Sequence, residues 1–404
     1  MPSQSRYLSA SEAAAALGVA RATLYAYTSR GYLHSEAVPG RPRESRYDRE
    51  EVQRLQQRKE ARLDPSKAAA QGLHWGSPVL ASGITLIHEG RLYYRGQDVL
   101  QLAAHANLEE AAALLWAAEP AETARLFHQP LALSPPRLAR LHTLARAPLP
   151  LMQMALALAA STDHASHDLR PAAVRQTAAR IVRLLTTMVA GRHAATSIHH
   201  ALQSAWAPSD PPAAGVIRTA LVLCADHELN VSAFTARCAA SAGASPWDVV
   251  SAALATLKGR RHGGSMDRVT ALFDEVREPR RARAVIAARL RQGDSIGGFG
   301  HPLYPAGDPR AAMLLKLAEA GPHRSQWRLA RALANAGESL LHDRPNLDFS
   351  LVAVARCYAF PAVAPLVLFA LGRTVGWMAH AIEEYAKGEL IRPRALYTGP
   401  PPHD

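Results

Sequence analysis

Cysteine is nearly absent: Cys224, Cys238 and Cys357 are the only three in 404 residues, and none forms a CxxC pair. That argues against a disulfide framework or a thiolate metal site and fits a reducing compartment. His193, His199 and His200 lie near one another, but no carboxylate or cysteine completes a metal-ligand spacing, so no metal is expected. Neither GxGxxG nor a P-loop occurs. Long apolar runs are missing as well. The most apolar stretch, PAVAPLVLFALG at 361–372, is too short to span a bilayer and reads as a buried helix. The run Ala13–Leu17, with Glu12 before it and Arg21 after it, is too short for a signal peptide, so a cytoplasmic protein without membrane contact is expected. No convincing run of strands and no internal repeat is visible. Helical apolar spacings alternate with Pro/Gly breaks, and all-α is the expected fold class.

What is present is ordinary globular material, with 48% hydrophobic and 20% charged residues. The chain is long enough for a large core and for more than one domain. Lys and Arg number 46 against 34 Asp and Glu, a net charge of +12. A basic chain suits nucleic acid and polyanionic small molecules equally well.

Residues 1–66 read as a separate module. LSASEAAAALGVARATLYAYTSRGYL has helical apolar spacing broken at Gly18 and Gly31. Ser9 or Ser11 can cap the first helix, and Gly18–Val19 turns into a second. Arg21, Thr23 and Tyr25 fall near the start of that second helix, where a recognition helix carries its base contacts. VPGRPRESRYDREEVQRL then predicts a Gly/Pro turn, an extended stretch and a third helix. This order resembles the winged helix-turn-helix of MerR and excisionase proteins, which implies DNA binding through residues 1–66. A small helical docking domain fits the same pattern. The module holds 11 Lys and Arg against 8 Asp and Glu, a weak excess for phosphate neutralisation. Its arginines cluster in the expected wing, at Arg41, Arg43 and Arg46.

ARLDPSKAAAQGLHWGSP at 61–78 reads as a linker. From Ser82, SGITLIHEGRLYYRG predicts a short hairpin followed by two helices, with Asn107 and Glu110 forming a capping box. Further on, four segments carry polar residues at bends: DHELN around His227, GRRHGG around His262, GFGHPLYPAGDPR around His301, and RPNLDFS around Asp348. Two histidines and a carboxylate at Gly- or Pro-marked turns suit chemistry that makes and traps an enol. Each also has a plainer reading. Asp348 suits a helix N-cap, His262 a surface turn, and any single arginine an ordinary ion pair.

Taken in order, these segments resemble the citrate synthase family, and the resemblance runs from about residue 77 to the C-terminus. It includes the YRG segment before two helices. It implies acetyl-CoA and oxaloacetate as substrates, citrate and CoA as products, and no cofactor beyond the thioester. The acetyl methyl is a very weak acid, so a base must take its proton while a donor stabilises the developing enolate oxygen. The resemblance gives the base role to Asp348, the thioester-oxygen donor to His262 and the ketone-oxygen donor to His301. Arg310, Arg373 and Arg392 match the residues that pair with oxaloacetate carboxylates, and His227 the remaining polar contact. The glycines beside the two histidines are expected to let backbone approach substrate. The resemblance further implies a large domain of 67–263 plus 359–404, a small domain of 264–358, and a homodimer in which Arg392 enters the partner's site.

Two departures stand out. Gly259-Arg260-Arg261 replaces the family's common Gly-Pro-Leu before the histidine, and Cys224 stands where many members have a second histidine. A 2-methylcitrate synthase using propionyl-CoA is the near alternative, since one methylene is worth only about 1–3 kcal/mol of discrimination. A DNA-binding regulator with a synthase-like sensing body is the alternative from another class.

Overall fold

The computed structural model describes residues 7–38, 41–49, 51–52, 55, 80–191, 197–395 and 397–400. The chain falls into two compact units, 1–81 and 82–404. The linker expected at 61–78 lies outside the described residues.

In the first unit, β1 (Tyr7–Ser9) leads into α1 (Ala10–Leu17) and α2 (Arg21–Ser29), followed by β2 (Ser35–Val38) and β3 (Arg41–Asp48). The strands form an antiparallel sheet in the order β1-β3-β2. Ser9, not Ser11, caps α1. Its hydroxyl accepts the Glu12 N–H at 3.3 Å while the Glu12 carboxylate accepts the Ser9 N–H at 2.8 Å. Gly18 ends the helix at φ +60°, a left-handed conformation that glycine adopts without penalty. Leu8, Ala13, Leu17, Leu24, Leu33, Tyr47 and Val52 make a small core. The helix expected after the wing is seen at Arg49, Glu51, Val52 and Leu55, the described residues of that stretch.

The second unit opens with the expected hairpin, β4 (Thr85–His88) and β5 (Arg91–Tyr94), extended by the two-residue β6 (Gln97–Asp98). Among the described residues, every regular element that follows is a helix. The first group is α3 (Val99–His105), α4 (Leu108–Leu115), α5 (Pro120–Leu126), α6 (Pro135–Leu144), α7 (Pro148–Ala160), α8 (Pro171–Ala190) and α9 (Ile198–Trp206). Next come α10 (Ala213–Cys224), α11 (Val231–Ser241), α12 (Pro246–Leu257), α13 (Ser265–Val276) and α14 (Ala282–Arg291). The chain closes with α15 (Pro309–Glu319), α16 (Arg324–Leu341), α17 (Leu347–Cys357) and α18 (Ala364–Lys387). The Asn107–Glu110 capping box opens α4 as expected.

Helix α18 organises this unit. It is long and apolar enough to cross a membrane, but 94% of its apolar stretch is buried against α4, α8, α10, α11, α12 and α17. The Leu368, Leu371, Trp377 and Met378 side chains are all inaccessible, as expected of a helix apolar on every face. Close approach needs glycine at one point. A Cβ at Gly376 would lie 2.3 Å from the Ala225 carbonyl and 2.4 Å from Asp226 Oδ1. The turn after α10 therefore seats directly on α18. Buried Tyr94 braces that turn from the other side. Its hydroxyl accepts the Asp226 N–H at 3.0 Å and lies 3.1 Å from the Val222 carbonyl.

Helices α13, α15, α16 and α17 pack on one another, with α17 also touching α18. Helix α17 thereby joins this group to the core built around α18.

Candidate active site

Three backbone segments are tied together by short-range polar contacts. Asn346 is the N-cap of α17. Its Oδ1 accepts the N–H groups of Asp348 and Phe349 at 3.1 and 3.4 Å, and its Nδ2 donates to the Gly300 carbonyl at 3.1 Å. The Asn346 N–H also donates to the Gly298 carbonyl at 2.9 Å. This one residue locks the loop bearing His301 to the helix start bearing Asp348. Asp348 is thus not the helix cap, which frees its carboxylate. Oδ2 of that carboxylate accepts the Ser265 hydroxyl at 2.6 Å.

The glycines beside the histidines are required by packing within the protein. A Cβ at Gly300 would meet the Asp343 carboxylate at 2.8 Å, one at Gly298 would meet Val269 at 2.9 Å, and one at Gly263 would meet the Leu257 carbonyl at 2.6 Å. They let the loops pack on protein, with φ of +92° at Gly298 and +70° at Gly300.

His227, His301 and Tyr304 form one cluster. His227 Nε2 lies 3.0 Å from the Tyr304 hydroxyl, and the two imidazole rings meet edge to face with centroids 5.0 Å apart. His301 Nδ1 accepts the Leu303 N–H at 3.2 Å. An accepting Nδ1 places the proton of the neutral ring on Nε2. Burial, reinforced by Arg310, lowers the His301 pKa to about 4. Burial together with Arg310 and Arg373 holds His227 well below the usual histidine range. The Tyr304 phenol is pushed up to about 12, chiefly by burial.

His262 precedes α13. Its Nε2 lies 2.8 Å from the Ser232 hydroxyl, which also receives the Trp377 indole N–H at 3.1 Å. Ser232 has one proton to give. Its hydroxyl donates to Asn230 Oδ1 at 2.7 Å, an oxygen that also accepts the backbone N–H groups of Ser232 and Ala233. Burial, with Arg373 adding to it, lowers the His262 pKa to about 4, so a neutral ring is present at pH 7. For Asp348, burial raises the pKa against the Ser265 bond and Arg310, which lower it, and the net shift is upward.

The two buried arginines differ. Arg310 is paired with Asp308 through two parallel bonds, Nε to Oδ1 at 3.0 Å and Nη2 to Oδ2 at 2.8 Å. Burial opposes its charge, but Asp308 outweighs that and raises its pKa. Arg373, only 1% exposed, donates Nε to the Cys224 carbonyl at 2.9 Å and lies over the Phe369 ring. Among the described residues no carboxylate is within ion-pairing distance of it, and burial lowers its pKa against the pull of Asp226. Phe369 in turn meets the His262 ring edge-on at 5.7 Å.

Six of the seven anticipated residues, His227, His262, His301, Arg310, Asp348 and Arg373, therefore share one electrostatic neighbourhood. Arg392 does not join them. It is exposed in the tail after α18. Sequence reading passed over Ser232, Ser265, Tyr304, Asp308 and Asn346. Their signal was proximity, since Ser265 and Tyr304 each follow a flagged histidine by three positions. Cys224 is fully buried packing at the end of α10. The His199 and His200 rings lie 4.3 Å apart, tilted at 38°, while His193 lies outside the described residues.

In the first unit, Arg21 and Tyr25 are exposed on α2 and Thr23 is half-buried. Arg46 pairs with Glu36 at 2.8 Å and covers the Tyr7 ring. The side chains of Arg41 and Arg43 lie outside the described residues.

Residues 72–394 match the citrate synthase C-terminal domain family. This chain belongs to the citrate synthase family. Residues 7–60 match a helix-turn-helix domain, so the synthase body carries an N-terminal helix-turn-helix. Putative citrate synthase 2 of Mycobacterium tuberculosis is 38% identical over 201 residues, 48% of this chain and 53% of that protein. The chain thus spans about half the length of that relative. The 2-methylcitrate synthase of the same species is 30% identical over 334 residues, covering 76% of this chain and 84% of that one. Among solved structures, the ternary complex of Thermoplasma acidophilum citrate synthase with carboxymethyl coenzyme A and oxaloacetate aligns with a TM-score of 0.71 at 25% identity. It covers 83% of this chain and 97% of that one.

Proposed function

We propose that this citrate synthase family member condenses acetyl-CoA with oxaloacetate and hydrolyses the resulting thioester to citrate and CoA. The observation that carries the reading is the buried, carboxylate-free Arg373 beside the His227–His301 cluster. A guanidinium held out of water without an anion is costly unless a ligand supplies one, and oxaloacetate brings two carboxylates. Arg310 offers its remaining edge to the same ligand.

Each residue then has a task. Ionised Asp348 takes a proton from the acetyl methyl. Neutral His262 donates a ring N–H to the thioester oxygen as the enolate forms. The new nucleophilic carbon attacks the ketone carbon of oxaloacetate, while His301 Nε2–H donates to the oxygen that becomes an alkoxide. Water then cleaves the citryl thioester, releasing CoA. Raised Asp348 and depressed histidine pKa values suit these roles, because they narrow the proton-transfer gap at neutral pH.

The body would divide into a large domain, 67–263 with 359–404, and a small one, 264–358, closing around a cleft. The packing of α13–α17 on one another supports this. A homodimer with Arg392 reaching the partner's site accords with that residue's exposure, and a cytoplasmic location fits the substrates. The relative named 2-methylcitrate synthase favours propionyl-CoA as the second reading. DNA binding by residues 1–66 is supported by the helix-turn-helix match and by exposed Arg21 and Tyr25.

The deciding experiment is thiol release from acetyl-CoA and propionyl-CoA with oxaloacetate present. Faster turnover of the acetyl thioester is expected, and no release from either would refute the enzymatic reading. A gel shift on the gene's own upstream region, with and without oxaloacetate, tests the regulator alternative.

A further inference from the structure

Ser265 sits where the donor-histidine loop becomes a helix. It is the first residue of α13, and its N–H donates to the His262 carbonyl at 3.0 Å. Its hydroxyl reaches across to Asp348 Oδ2 at 2.6 Å, while the Asp348 backbone is fixed separately by Asn346. One residue therefore grips both arms of the enolisation machinery, the segment that presents the thioester-oxygen donor and the carboxylate that takes the proton.

We propose that Ser265 is a positioning residue for proton abstraction. Its hydroxyl clamps one oxygen of Asp348, leaving Oδ1 as the base, and so fixes the base relative to His262. The inference rests on the assignment of Asp348 as base. A carboxyl group has two equivalent oxygens and free rotation about its last torsion. Without a donor, either oxygen and either orientation is available, and near-attack geometry is diluted. A hydroxyl donor also favours the ionised form over the neutral one. The charged groups facing Asp348 are Arg310 of α15, Asp308 at the N-cap of that helix, and Arg268 of α13, with the Cys224 thiol of α10 also within electrostatic reach. Arg310 and Arg268 favour the ionised carboxylate and Asp308 opposes it. Ser265 is the group that bonds the carboxylate directly.

The test is Ser265→Ala with Ser265→Thr as the hydroxyl-retaining control, both in the full chain. Ser265→Ala should lower kcat roughly ten- to hundredfold, the range for a lost hydrogen bond to a charged group, with little change in KM for oxaloacetate. The acid limb of the kcat–pH profile should move up by about one pH unit, because the ionised base loses its donor. With trideuteroacetyl-CoA the kinetic isotope effect should rise as proton abstraction becomes limiting. Ser265→Thr should restore rate, profile and isotope effect. A thermal melt separates misfolding from these effects, since loss of packing alone lowers active protein without moving the acid limb or the isotope effect. Asp348→Asn distinguishes the two levels of the argument. Near-normal turnover in that variant overturns the base assignment itself. A dead Asp348→Asn beside a Ser265→Ala enzyme with wild-type profile and isotope effect overturns only the role of Ser265.

Discussion

Asp308 occupies one full edge of the Arg310 guanidinium, with both side chains almost completely buried. A residue assigned to a substrate carboxylate is thus already half-committed to a protein carboxylate two positions before it. The pair keeps Arg310 charged and aimed when the site is empty. Removing Asp308 strands a buried cation. Asp308→Ala should destabilise the folded protein by about 3–5 kcal/mol, read as a lower denaturant midpoint. Oxaloacetate should raise the melting temperature of this variant more than it raises that of the wild type, because the ligand then supplies the missing anion. An equal ligand-induced shift in both proteins would show that Arg310 does not meet the substrate.

Arg373 makes the opposite case. With no carboxylate among the described residues paired to it, its charge costs the empty protein free energy. Arg373→Met should leave unliganded stability within about 1 kcal/mol of wild type, since a similar volume is kept and a desolvated charge is removed. Oxaloacetate binding should weaken by about 1.5–3 kcal/mol for each charge-assisted bond lost. Calorimetric titration with oxaloacetate alone measures this without catalysis. Unchanged affinity would remove Arg373 from the site.

The buried histidines make stability depend on pH. His262 and His301 have folded pKa values lowered to about 4, and His199 shares that shift. Their unfolded values lie near 6.5. Between these limits the unfolded chain binds more protons, so stability falls as pH drops from about 6.5 towards 4. Asp348, with its raised pKa, works in the other direction: a folded protein that holds its proton more tightly gains stability on acidification just above the ordinary carboxylate range. Denaturant melts at pH 7, 6 and 5 should show a net decline, with a shallower slope in His262→Asn. A flat profile would mean that these rings are solvated.

Subunit sharing can be tested by complementation. Arg392→Ala and Asp348→Asn homodimers should each be nearly inactive. Refolded together, a mixed dimer has one site with intact Asp348 and the partner's intact Arg392, and one site with both defects. Activity should return to about half of wild type per heterodimer by symmetry. Heterodimers seen by mass spectrometry that stay inactive would place the action of Arg392 within its own chain or remove it altogether.

Much of this was readable along the chain because the signals are local. The Ser9 and Asn107 caps, the Gly18 stop and the hairpin before YRG depend on residues three or four apart. The buried helix expected at 361–372 followed from unbroken apolarity, although α18 begins at Ala364 and runs on to Lys387. The bends around His227, His262, His301 and Asp348 carried the family resemblance. What the sequence could not decide was which polar groups were already spent. Whether Asp348 caps a helix depended on Asn346 two residues earlier. Whether Gly300 opens to substrate depended on Asp343 filling the space beside it, forty-three positions away. Arg310 and Arg373 look alike as letters, yet Asp308 pairs with one and Cys224 offers the other only a carbonyl. Tertiary packing sets these outcomes, since burial makes each unmet hydrogen bond or charge costly and so dictates which groups pair with protein and which remain for a ligand.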